Sequence, residues 1–290
     1  MSGNHKMILD QTEISKRNNV KILGEGQKTM IMAHGFGCNQ TMWRFLLPQL
    51  TPHYKIVLFD YVGCGSSDCR AYQADRYHCL DGYAQDIIEI CDAFDLQDCI
   101  FVGHSISATI GWILNQQRPD LISHHIMVCP SPCFINIDDS YSGGFDMQDL
   151  EGLIGLMSQD YLGWGQYLAP VVMGSELPDE ASQADDQESM VWELLNSFCA
   201  TDVTFSLPFA KACFYSDNRH LLKHINRPSL ILQCSDDLLV NLNVANFMAN
   251  EIPNNQLDII ESKGHCLHMT NPANVMESMK RFLAAQSPSL

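Results

Sequence analysis

Short apolar runs, each closed by Gly, Asp, Ser or His, recur toward both ends of the chain. Lys28-Thr29-Met30-Ile31-Met32-Ala33, Cys99-Ile100-Phe101-Val102 and His125-Ile126-Met127-Val128-Cys129 have the length of buried strands, as do Ser229-Leu230-Ile231-Leu232-Gln233 and Leu257-Asp258-Ile259-Ile260. Directly after the second run, Ile106 to Gln117 takes up a helical pattern. The middle reads differently. From Phe134 to about Phe214 the pattern predicts helices over 147–159, 161–172, 186–199 and 203–213, with no strand before Ser229. Strands alternating with helices predict an α/β fold with a mostly parallel central sheet flanked by helices. The expected core spans residues 1–133 and 215–290, with an inserted helical lid over 134–214.

The turns at the strand ends carry the chemistry. Gly103-His104-Ser105-Ile106-Ser107 sits between a strand and a helix, the setting of a nucleophile elbow. Gly103 and Ser107 are small enough to let strand and helix approach, although the last position departs from the usual Gly. A serine nucleophile needs a base, an acid to orient that base, and donors for the oxyanion. Each is found past the end of another strand, in the order serine, acid, histidine. Cys234-Ser235-Asp236-Asp237 offers two adjacent acids, of which one can face the base. Glu261-Ser262-Lys263-Gly264-His265 offers the base. His34-Gly35-Phe36-Gly37 offers the Phe36 amide, to be joined by that of Ile106 in an oxyanion hole, with His34 bracing the loop. Ligands of open α/β sheets bind at this strand edge.

Four segments together resemble one family. They are Asp60-Tyr61-Val62-Gly63-Cys64-Gly65-Ser66-Ser67-Asp68, His34-Gly35-Phe36-Gly37, the Ser105 elbow, and Gly264-His265-Cys266-Leu267-His268-Met269-Thr270. They are similar to the RsbQ-like α/β-hydrolases, bacterial energy-stress regulators grouped with plant karrikin and strigolactone receptor hydrolases. The likeness runs from about Asn18 to Leu283. It implies that Asp237, rather than Asp236, is the acid, and that the lid is a V-shaped cap of four helices. It also implies a partner, a serine/threonine phosphatase with a sensory domain. Beneath the lid we expect a dry pocket bounded by Phe36, Ile106, Phe134 and Trp164, taking a small hydrophobic ester or lactone.

Composition narrows the setting. A formal charge of −17 disfavours nucleic acid and anionic membrane surfaces. Part of it is crowded into Glu176–Glu180 and Asp185–Glu188, a solvated stretch or a docking patch from Asp179 to Glu188. Met1 to Lys6 lacks a signal-peptide hydrophobic region, so a cytoplasmic protein is expected. The chain has 12 cysteines and no Cys-x-x-Cys pair, and Cys99, Cys129 and Cys234 fall in core strands as small apolar residues. His265-x-x-His268 lacks further metal ligands, and Gly63-Cys64-Gly65 lacks the third, helix-opening glycine of a dinucleotide loop. No cofactor and no metal are expected.

Overall fold

The computed structural model describes residues 10–175 and 186–286. Met1 to Lys6 and most of the acidic stretch Asp179 to Glu188 lie outside the described residues. Seven strands form one sheet: β1 (Lys21–Leu23), β2 (Lys28–Ala33), β3 (Tyr54–Leu58), β4 (Cys99–His104), β5 (Ile122–Val128), β6 (Ser229–Asp236) and β7 (Asn255–Lys263). Their spatial order is β1-β3-β2-β4-β5-β6-β7, with β1 antiparallel and the rest parallel. The register Met32↔Val102↔Ile126 and Met127↔Ile231 runs through the apolar centre of these strands. It brings the carboxyl ends of β2, β4, β6 and β7 to one edge.

The central strand, β4, explains its own composition. β4 is buried along its whole length because helices cover both faces of a parallel sheet. Helix Leu80–Ala93 buries Leu80, Tyr83, Ala84, Ile87, Ile90 and Cys91, which recur at three- and four-residue intervals on one stripe. Helix Ile106–Gln117, by contrast, is buried on every side from Ile106 to Asn115. A helix with no wet face is anchored at the centre of the domain, which fixes whatever stands at its first turn.

Between β5 and β6 the chain leaves the sheet for four helices, Met147–Gln159, Tyr161–Met173, Asp186–Ala200 and Val203–Phe214. The first packs against the second and fourth, and the second against the third. Tyr161 ties them together, its hydroxyl lying 2.9 Å from the Phe198 carbonyl and 2.8 Å from Ser206 Oγ. Trp164 is buried beside them, stacked on Tyr161 and packed against Phe198. No helix among the described residues is long and apolar enough to cross a membrane.

Candidate active site

The turn after β4 holds Ser105 at φ 54°, ψ −124°, a positive φ that a non-glycine residue rarely adopts. Gly103 makes the turn possible, because a Cβ there would lie 2.7 Å from the Ala108 backbone nitrogen. Ser105 is also the N-cap of the helix, where a serine oxygen ordinarily accepts from an amide of the first turn. Here it makes no cap bond. Its Oγ lies 2.7 Å from His265 Nε2, and His265 Nδ1 lies 2.7 Å from Asp237 Oδ2. Asp237 Oδ1 accepts from the Leu239 and Val240 amides at 2.9 and 3.1 Å, and Oδ2 also accepts from Gln233 Nε2 at 3.3 Å.

Burial alone would raise the Asp237 carboxyl, but the adjacent His265, its hydrogen bond and the two amides outweigh it and hold the group below its usual range. An ionised Asp237 can only accept. His265 therefore carries its proton on Nδ1, leaving Nε2 to accept from the Ser105 hydroxyl. Asp236, next in the chain, is exposed while Asp237 is buried, and only Asp237 reaches His265.

Across from Ser105, the Phe36 and Ile106 amides have no protein acceptor among the described residues. The Ile106 amide opens the first helical turn, where the aligned peptide dipoles favour negative charge. The loop carrying Phe36 is braced from behind. His34 Nδ1 donates to the Gly35 carbonyl at 2.9 Å, and Nε2 accepts from the Tyr61 amide at 3.2 Å. Ser107 Oγ donates to the His34 carbonyl, so the Tyr61 hydroxyl, 2.8 Å away, donates to Ser107. Asp60 gathers the neighbouring loops, accepting from Gln40 N at 2.9 Å, Ser66 N at 3.0 Å and Asn19 Nδ2 at 2.7 Å. Size alone marked Ser107 in the sequence; its hydroxyl role, like those of Tyr61 and Asp60, depends on partners distant in the chain.

A cavity of about 400 Å³, counting its mouth, opens onto Ser105 and His265. Phe36 and Phe134 line it, with Leu168, Val172, Phe198 and Phe214 from the inserted helices. Ile106 and Trp164, expected at the wall, are not among its lining residues. Trp164 stands one layer back, edge-on to Phe36 with ring centroids 6.0 Å apart, and Ile106 is turned into the protein at 1% exposure. The insertion also bonds to both loops of the site. Ser197 Oγ donates to the Gly37 carbonyl at 2.8 Å, and the His265 amide donates to the Val172 carbonyl at 2.6 Å. That second contact needs Gly174 (φ 67°) facing Gly264 (φ 85°), since a Cβ on Gly264 would come within 2.4 Å of the Met173 carbonyl.

Behind His265, the His104 ring packs against those of His265 and His268, and His268 lies on Trp43 with centroids 4.5 Å apart. His104 donates through Nε2 to the His265 carbonyl at 3.0 Å. Burial, reinforced by neighbouring histidines, lowers His104 and takes His268 down to about 3; burial likewise takes His125 to about 3 and lowers His34. These rings stay neutral in the fold but protonate in the unfolded chain below about pH 6.5. The unfolded state then binds more protons, so stability falls as pH falls. Between pH 7 and 5.5 we expect a loss of roughly 1 kcal/mol from each of His125 and His268, the two taken to about 3. Chemical denaturation at the two pH values measures it. His268→Phe, which keeps a ring on Trp43, should make the loss smaller; an unchanged loss would mean that His268 titrates normally.

A family model for the alpha/beta hydrolase fold matches residues 28–272. The chain is 34% identical over 271 residues to a karrikin insensitive 2 receptor of Petunia hybrida, covering 93% of this chain and 97% of that one. It is 31% identical over 276 residues to a strigolactone esterase of Arabidopsis thaliana, covering 95% and 99%. The solved structure of a hydrolase from Oleispira antarctica matches with a TM-score of 0.89 at 45% identity, over 95% of this chain and 97% of that one.

Proposed function

The chain belongs to the α/β-hydrolase family and is a hydrolase, and within that family we propose that it cleaves small apolar esters or lactones through a covalent acyl–Ser105 intermediate. The observation that carries this reading is the unbroken relay from Asp237 through His265 to Ser105, with 2.7 Å at each His265 nitrogen. Ser105 Oγ attacks the acyl carbon as His265 Nε2 takes its proton. The carbonyl oxygen becomes an oxyanion held by the Phe36 and Ile106 amides, each such donor contributing about 10²–10³ in rate. His265 then passes the proton to the departing alkoxide. Water, deprotonated by the same nitrogen, attacks the acyl carbon and releases the acid. We read residues 134–214 as the lid over this site and the rest as the catalytic core.

The cavity supports the substrate class. Its lining is aromatic and aliphatic, which favours an apolar acyl group, and its enclosed part, about 30 Å³ without the mouth, leaves little room for a long chain. Among p-nitrophenyl esters, acetate and butyrate should be cleaved with higher kcat/KM than decanoate. Rates that climb with chain length and jump at an oil interface would overturn the small-pocket reading. A second reading is a ligand sensor with slow turnover and a protein partner, which the receptor name of the Petunia relative favours. The resemblance points to a sensory-domain phosphatase as that partner, and a gene for one beside this gene would favour signalling.

A further inference from the structure

Cys129 follows β5 with φ 48°, a left-handed conformation that a cysteine adopts only under constraint. Glycine would fit this backbone without strain. The cysteine is fully buried, and its thiol does not line the cavity. It lies instead against the far side of the acid–base pair. Cys129 Sγ, an Asp237 oxygen and a His265 nitrogen all lie within 4.8 Å of one another. Burial, with the Asp237 charge beside it, pushes the Cys129 thiol well above its ordinary range, so it rests protonated and only a cation that takes the proton's place would hold it as thiolate. The geometry points to a metal site: Cys129, Asp237 and His265 bind a thiophilic divalent cation of the zinc class, which switches the enzyme off.

The donor set selects the cation. One sulfur, one imidazole nitrogen and one carboxylate oxygen are the ligand types of Zn²⁺, with bonds of roughly 2.0–2.3 Å. Magnesium and calcium prefer oxygen alone. Ligands around a tetrahedral zinc stand about 3.5 Å apart, so the thiol has to approach by up to about 1 Å while Asp237 and His265, 2.7 Å apart, open by slightly less. The carboxylate is already oriented, since its other contacts come from the Leu239 and Val240 amides and Gln233.

Binding changes the site in a defined way. The thiol loses its proton to solvent and becomes the thiolate ligand. The nitrogen facing Asp237 is Nδ1, so the cation takes the place of the proton shared there. That proton moves to Nε2, and His265 stays neutral. Net, one proton is released. Nε2 now carries hydrogen toward Ser105 and has no lone pair with which to accept the hydroxyl proton. The inhibition rests on the proposed role of His265; the binding does not.

The test uses the full chain, stripped of metal by chelation, with Co²⁺ and Zn²⁺ as probes. Co²⁺ should give a thiolate-to-cobalt charge-transfer band that saturates at one equivalent in the wild type. Zn²⁺ should inhibit hydrolysis of p-nitrophenyl acetate, reversibly with a chelator, and Mg²⁺ should not. Cys129→Gly should fold and retain activity but lose the band, and its inhibition should require about 10- to 100-fold more Zn²⁺. Cys129→Ser, which keeps an oxygen in the position, repeats the comparison should the glycine variant not fold. The same band and the same zinc sensitivity in both variants would refute the site, placing the cation on other thiols. Because the cobalt spectrum needs no substrate, a band that depends on Cys129 in a protein without esterase activity would sink the catalytic reading and leave the metal site standing.

Discussion

Ser105→Ala should lower kcat on a short-chain p-nitrophenyl ester by about 10⁴–10⁶-fold with little change in thermal stability. The size follows from the relay acting as a unit. Without the hydroxyl, His265 has no proton to take and the Asp237 charge has nothing to assist. What remains is water attacking a bound ester beside the Phe36 and Ile106 amides, the small residual catalysis left when a triad loses a member. The fold should tolerate the change, because the strained backbone at Ser105 is imposed by β4 and the buried helix rather than by the hydroxyl. Turnover kept within tenfold by a well-folded variant would rule out Ser105 as the nucleophile.

Asp237→Asn should cost about 10⁴-fold in kcat, and Asp236→Asn less than about tenfold. The local bonding sharpens the first expectation. Oδ1 of Asp237 accepts two backbone amides, so an asparagine must place its carbonyl oxygen there. Its NH₂ is then forced toward His265 Nδ1, which can accept only if the ring proton sits on Nε2. The base is locked in the unproductive tautomer. Asp236 is exposed and makes no bond to His265, so its charge is screened. Kinetics of both variants on one ester settle the ranking, and the reverse order would put the orienting acid at residue 236.

Both aspartates were visible in the sequence, but adjacency could not separate them; a family resemblance did, and burial now supplies the physical reason. The elbow was legible because three local signals coincide: an apolar strand, a small-residue turn and a helical pattern. β1 was missed because its three residues are all exposed and show no alternation to read. The pocket wall was half legible. Phe36 and Phe134 sit on loops near strand ends, where topology alone puts them at the site. The inserted helices are apolar on more than one face, so spacing could not tell Leu168 and Phe198, which line the cavity, from Trp164, which does not. Ser107 and Cys129 both read as small fillers. Their distinguishing features, a hydroxyl chain to His34 and a positive φ beside Asp237, exist only once distant segments meet.

The bonds from Ser197 to Gly37 and from the His265 amide to Val172 bear on how this protein could be recombined. A helical insert looks like a portable module, to be exchanged with another member of the family so as to change specificity. Here the donor insert would have to bring an acceptor for the His265 amide, a glycine to meet Gly264, and a hydroxyl for the loop that carries Phe36. A graft chosen only for its pocket-facing residues would leave the His265 amide without its partner and both loops slack. Segments 34–37, 172–174, 197 and 263–265 therefore form one unit of inheritance, though they are scattered over most of the chain.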